Sequence, residues 1–256
     1  MLISFEIASR KYAADLTRGI SLAIPLRFEG AQPSFFGAPP ASSATVTSGD
    51  WVGDTRKGGS CNVREYRFVA HCNGTHTECV GHMVDEPVGL NDQLPGSLLP
   101  ATLVSVKPAT EAIDATLMQA ALLRHANSAF HRALVLRTLP NGDDKQSRRY
   151  DGPLPAPYLT PDAMRTLVNA GVEHLLVDLP SLDPAHDEGR MAAHRVFWAM
   201  PEKSHSLADA RRPNGTVTEL IYVPDNVQDG YYLLDLQIPA FMTDAAPSRP
   251  VIYPVG

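Results

Sequence analysis

Cysteine is scarce in this chain: three in 256 residues, at Cys61, Cys72 and Cys79. Three thiols cannot all pair with one another, so a disulfide framework is excluded and a reducing cytoplasm is the default expectation. Long apolar runs are missing too. No stretch approaches the roughly 20 residues that a membrane-crossing helix needs. Met1 to Ala13 also lacks the basic, apolar and cleavage-site order of a secretory leader. Charge of one sign is nowhere concentrated. The net charge is −6, and the basic pairs Arg148-Arg149 and Arg211-Arg212 stand alone in polar surroundings. Neither nucleic acid nor a membrane is therefore an expected partner. Internal repeats and low-complexity linkers are absent as well.

What is present is an ordinary globular composition, 44% hydrophobic and 20% charged, and a length that fits one domain spanning 1–256. The 22 prolines cluster at 33–40, 95–108, 153–161 and 247–254, where they mark loops. Tyr66 to Ala70, Leu103 to Val106 and Arg132 to Leu139 read as strands. Ala112 to Ala126 has helical spacing, with Asp114 a cap. Thr160-Pro161-Asp162 is a second helix start, and Gly171 its stop. His174 to Leu179 reads as the next strand, so strand, helix and strand follow in βαβ order. Glu188 to Trp198 reads as a helix, and Tyr231 to Ile238 and Val251 to Tyr253 as closing strands. The expectation is an α/β fold with a mixed, largely β core and helices packed outside.

One run concentrates chemistry. His71-Cys72-Asn73-Gly74-Thr75-His76-Thr77-Glu78-Cys79-Val80-Gly81-His82 holds three histidines, two thiols and a carboxylate in twelve residues. An extended segment alternates its side chains, so Cys72, His76 and Glu78 would share one face, a plausible corner for a divalent cation. A buried strand with backbone-satisfied histidines and core-filling cysteines is the plainer alternative. The density of the cluster weighs against it, because such groups are costly to bury without a compensating partner. Later in the chain His194 stands on the expected helix and Glu219 in the apolar run Thr218 to Tyr222. A surface histidine and a water-facing edge residue would account for each of these singly.

The run resembles the signature H-x-G-T-H-x-D-x-P-x-H of the cyclase family of metal-dependent hydrolases, which includes bacterial kynurenine formamidase and isatin hydrolase. Gly74-Thr75-His76 and His82 keep its spacing. Further likenesses are Asp15-Leu16-Thr17, Tyr158 to Pro161, Asp178 to Asp183, and Pro247-Ser248-Arg249, so they span nearly the whole chain. The resemblance implies a fold of the swivelling β/β/α type and hydrolysis of a small amide, lactam or ester. By position, Cys72, His76 and Glu78 would bind the first metal. His194 and Glu219 would complete the site or hold a second ion, and His82 would transfer the proton. It also implies a small-molecule substrate and a homo-oligomer, dimer or tetramer.

The chain departs from the pattern in three places. Cys72 replaces the first histidine while His71 stands one place earlier, where it could take the ligand role only if a bulge at Asn73-Gly74 re-aims it; Glu78 replaces the aspartate, and 201–214 lengthens the interval from His194 to Glu219. A thiolate ligand would favour zinc, with manganese the alternative metal. Two other functions fit the residues: a non-catalytic relative that binds a small molecule in the same cleft, and thiol catalysis by Cys72 or Cys79 with a neighbouring histidine.

Overall fold

The computed structural model describes residues 1–94, 96–150 and 156–256. Of the proline clusters, Pro95, Pro153 and Pro155 lie outside the described residues. The principal sheet has nine strands. In chain order they are β1 (Ile20–Ser21), β2 (His76–Glu78), β3 (Leu98–Val106), β4 (Ala133–Thr138), β5 (His174–Val177), β6 (Thr216–Glu219), β7 (Gly230–Gln237), β8 (Ala245–Pro247) and β9 (Arg249–Pro254). Across the sheet they run β8-β2-β6-β5-β4-β3-β7-β9-β1. The four central strands, β3 to β6, are parallel, and the flanking strands pair antiparallel. The α-helices are α1 (Ala70–Asn73), α2 (Leu90–Gln93), α3 (Ala115–Leu123), α4 (Pro161–Asn169) and α5 (Ala192–Phe197).

The two middle strands, β4 and β5, are buried along their whole length, which is why they read as largely apolar runs. Period-two alternation then divides them between two cores. Leu134, Leu136, Leu175 and Val177 face a cluster completed by Met118 of α3, Met164 and Leu167 of α4, and Phe197 of α5. Ala133, Val135 and Leu176 face the opposite cluster, with Leu234, Leu236 and Ile252 from β7 and β9. Helices α3, α4 and α5 fill the three crossovers between parallel strands, so all three cover one face.

Local chemistry sets the helix ends. The Asp114 carboxylate accepts from Leu117 N at 2.8 Å, and Thr160 Oγ1 accepts from Ala163 N at 3.2 Å ahead of Pro161. Gly171 stands at φ +86°, past the end of α4, where an L side chain would be strained. Helix α5 is shorter than the sequence suggests. Glu188, Gly189 and Met191 have left-handed backbones, at φ of 60°, 73° and 49°, and these delay the helix to Ala192. Phe35 is a core residue against Tyr150 and Leu220, Trp51 is half-buried, and Phe36 is exposed. No helix among the described residues is long and apolar enough to cross a membrane.

Candidate metal centre

Strand β2 is three residues long and carries two of the predicted side chains. Its register against β6 sets Glu219 directly across from His76, and Thr218 across from Thr77. His76 and Glu78, two apart, therefore point to the same face as Glu219. The Thr77 and Thr218 hydroxyls hydrogen-bond at 2.8 Å on the opposite face. Thr75 anchors the entry to the strand: its hydroxyl accepts from Ile24 N at 2.8 Å and donates to Leu220 O at 2.5 Å. On the other edge β8 pairs with β2, and Ala245 lies opposite Glu78. This arrangement brings Asp244, the residue before it, to the rim.

The segment before β2 is not extended. Residues 70–73 make a single helical turn, α1, held by Asn73, whose Oδ1 accepts from Val69 N at 2.6 Å. A helical turn advances about 100° per residue rather than 180°, so the face shared by Cys72, His76 and Glu78 in a regular strand does not exist. His71 is the residue delivered to the cluster. Its Nδ1–H donates to Glu78 Oε2 at 2.8 Å and its Nε2–H to Asp244 Oδ2 at 2.9 Å. Among the described residues, three sets of side chains bring ligand atoms within 4.8 Å of one another: His71, His76 and Glu78; His71, His82 and Asp244; Glu78, His82 and His194. Cys72, though buried, belongs to none of these sets.

His194 reaches the centre from α5 and is enclosed by carboxylates. Its Nδ1–H donates to Asp183 Oδ2 at 2.5 Å and its Nε2–H to Glu78 Oε1 at 3.0 Å. Asp183 also accepts from the backbone N–H groups of Ala193 and His194, at 2.6 and 3.2 Å, and so seats the first turn of the helix. Glu219 Oε1 accepts from Leu182 N at 2.9 Å. The structure thus brings together His76, Glu78, His82, His194 and Glu219 of the predicted residues, places His71 there in preference to Cys72, and adds Asp183 and Asp244. Asp183 lies in a stretch whose likeness to the family was visible in sequence. Nothing in the sequence marks Asp244.

Electrostatics bind the cluster together. Burial opposes charge on His71, but hydrogen bonds to Asp244 and Glu78 hold its pKa up at about 10. Burial likewise opposes charge on His194, yet Asp183 and Glu78 carry it well above the usual imidazole value. Glu78 would be raised by burial, but His82 and the hydrogen bonds from His194 and His71 bring it well below the usual carboxylate range. The hydrogen bond from His71 and the nearby imidazole of His82 also lower Asp244. Protons on imidazoles here supply the positive charge that buried carboxylates require.

His76 is where that compensation fails. Its Nδ1 lies 2.9 Å from Gly74 O, which can only accept, so Nδ1 carries the proton and, unless Nε2 holds a second proton, Nε2 offers a lone pair. That Nε2 is buried without a hydrogen-bond partner among the described residues, and Glu219 Oε2 stands 3.4 Å away. A lone pair facing an anion inside a protein is unfavourable unless a cation lies between them. The donor set therefore fits a divalent metal ion, in imidazole and carboxylate chemistry. A separate groove of about 880 Å³ on the outer side of α5, lined by Pro161, Arg165, Arg190, Arg195 and Lys203, contains none of these donors.

The Cyclase family model matches residues 14–184, more than half of the chain. The chain belongs to the cyclase family. Kynurenine formamidase of Bacillus cereus is 28% identical to this cyclase-family chain over 221 residues, covering 80% of it and 91% of the formamidase. Among solved structures, isatin hydrolase A from Labrenzia aggregata superposes with a TM-score of 0.62 at 16% identity, over 92% of this chain and 93% of the hydrolase. A Bacillus stearothermophilus protein described as a predicted metal-dependent hydrolase gives 0.59 at 16% identity, over 92% and 97%. These superpositions establish the cyclase fold.

Proposed function

We propose that this cyclase-family chain is a metal-dependent hydrolase of a small amide, lactam or ester. The observation that carries the reading is the buried, unpartnered Nε2 of His76 facing the Glu219 carboxylate. His71, His76 and Glu78 would hold the first ion, and His194 and Glu219 would complete the site or take a second. Zinc is the first choice for so many imidazoles, and manganese is the alternative given the carboxylates. When bound, such an ion would lower the pKa of a water ligand toward neutrality and would act as a Lewis acid toward a carbonyl oxygen.

The remaining roles fall to the chain itself. Glu78 and Glu219 supply the negative charge that retains a cation. Asp183 fixes the ring of His194 through Nδ1 and leaves Nε2 for the site. His82 is partly open to solvent, with Nε2 3.9 Å from Glu78 and Nδ1 3.8 Å from Asp244, both longer than hydrogen bonds. An imidazole held that loosely at the rim is suited to carry a proton to the leaving group. Thiol catalysis loses support from Cys79, because burial pushes its pKa up to about 11 and its Sγ contacts Val88 O at 3.7 Å. So placed, it is a poor thiolate nucleophile.

The test is metal content by plasma mass spectrometry together with turnover of a panel of formamides, lactams and esters. Near-stoichiometric zinc or manganese in the wild type, lost with turnover in His76→Ala, is the expected result. Retention of both in that variant defeats the proposal. His82→Gln should keep its metal and lose turnover by about 10²- to 10⁴-fold. Full turnover in that variant would remove His82 from the mechanism. A homo-oligomer, dimer or tetramer, accompanies this reading, and the elution volume of the purified protein in size exclusion decides it.

A further inference from the structure

The three imidazoles nearest Glu78 and Glu219 share a design. Each has one nitrogen committed to an oxygen acceptor and the other aimed at the carboxylates. For His76 the acceptor is Gly74 O, and for His194 it is Asp183. For His71 it is Asp244, at 2.9 Å from Nε2, with Nδ1 directed at Glu78. The first two acceptors belong to segments where the family pattern is visible in sequence. Asp244 has no such background, and neither has its histidine, which stands one residue upstream of the position where the signature has one.

Asp244 is also held in place. Its carbonyl accepts from Cys79 N at 2.9 Å, and the next residue, Ala245, pairs with Glu78. The strand that supplies Glu78 therefore fixes the residue that orients His71. A neutral histidine has two tautomers, and only the one protonated at Nε2 offers a lone pair at Nδ1, toward Glu78. An anionic acceptor at Nε2 selects that tautomer and locks the ring, as carboxylates do for metal-bound histidines in general.

We propose that Asp244 is the positioning residue of a displaced metal ligand: it holds His71 with Nδ1 toward Glu78, so that His71 takes the ligand role for which Cys72 stands in the aligned position. This inference rests on the metal-hydrolase reading above. A histidine arriving from a helical turn approaches from a different direction than one on a strand, and it needs an orienting partner of its own.

The experiment measures zinc and cobalt affinity by chelator competition, and the visible and near-ultraviolet spectrum of the cobalt-loaded protein. The variants are Asp244→Ala, Asp244→Asn, His71→Ala, the double variant His71→Ala/Asp244→Ala, and Cys72→Ser. Asp244→Ala should weaken binding by about 10- to 100-fold. Asp244→Asn should recover part of that loss, because its amide oxygen still accepts from Nε2–H. In the His71→Ala background, removal of Asp244 should cost little more, since its effect runs through His71. Cys72→Ser should leave the cobalt spectrum unchanged. Wild-type affinity in Asp244→Ala, fully additive losses in the double variant, or a thiolate-to-cobalt charge-transfer band abolished by Cys72→Ser would each overturn the inference while leaving a metal site intact. A wild type that takes up neither metal would defeat the hydrolase reading, and this inference with it.

Discussion

Two imidazoles in this molecule, the buried His174 and the half-buried His71, respond to pH in opposite directions. His174 opens β5, with its Nδ1 2.8 Å from the Oγ1 of Thr216 on β6, and burial depresses its pKa to about 4. It folds as a neutral ring, so the unfolded chain, with a value near 6.5, takes up the proton first. Stability is therefore complete above about pH 6.5 and is lost as pH falls toward 4, by about 3 kcal/mol at most. Urea unfolding at pH 7.5 and 4.5 should show a smaller acid loss in His174→Gln than in the wild type. His71 behaves in the reverse manner. Its folded value near 10 lies above the unfolded one, so its contribution to the metal-free fold is full below about pH 6.5 and disappears as pH rises through 10. A divalent ion must displace such protons. Apparent metal affinity should accordingly rise by about tenfold per pH unit for each proton released, in competition titrations at pH 6, 7 and 8. A flat profile would show that the rings are already neutral.

At the scale of elements, the tight approach of β8 to the turn after β2 is the sensitive joint. A methyl group at Gly81 would lie 2.7 Å from Val88 O and 3.0 Å from the Asp244 Cβ. Gly81→Ala should cost about 1–3 kcal/mol in denaturant unfolding. It should also weaken metal binding by displacing Asp244, whereas Gly171→Ala, strained at α4 but remote from the donors, should cost stability alone. The elements that could be read from sequence are those with enough residues to show a period or a cap. The largely apolar runs became β4 and β5, and Asp114 and Thr160 became the caps of α3 and α4. The four-residue turn α1 has neither period nor side-chain cap to betray it, so the alternation expected over 72–78 holds at His76 and Glu78 and fails at Cys72. The expected helix from Glu188 starts late, at Ala192, after Gly189 in the left-handed region. The left-handed backbones of Glu188 and Met191 were not visible, because neither residue type favours that conformation.

Over the whole molecule the centre joins parts that are remote in the chain. His71 and Asp244 are 173 positions apart, His194 and Glu78 are 116 apart, and each pair meets within hydrogen-bond distance. The donors found in sequence share one short run or match a family position. Asp244 becomes a neighbour only through the antiparallel pairing of β8 on β2, which no local pattern encodes. A ligand that binds only the folded form stabilises it by mass action, by about 2.7 kcal/mol at one hundred times its Kd. For a chain of this size that corresponds to a thermal shift of about 5–10 °C. Chelator-treated protein should melt lower by that margin and recover on readdition of zinc or manganese. An unchanged midpoint would mean that the ion binds outside the folded centre.

The insertion of β2 between β6 and β8 also orders events during synthesis. A nascent chain that has emerged only as far as residue 200 contains His71, His76, Glu78, His82 and His194, but not β6 with Glu219, nor β8 with Asp244 ahead of it. Its partial donor set has no wall on either side of β2. On the metal-hydrolase reading proposed above, tight capture of an ion would wait until β6 and β8 close on either side of β2.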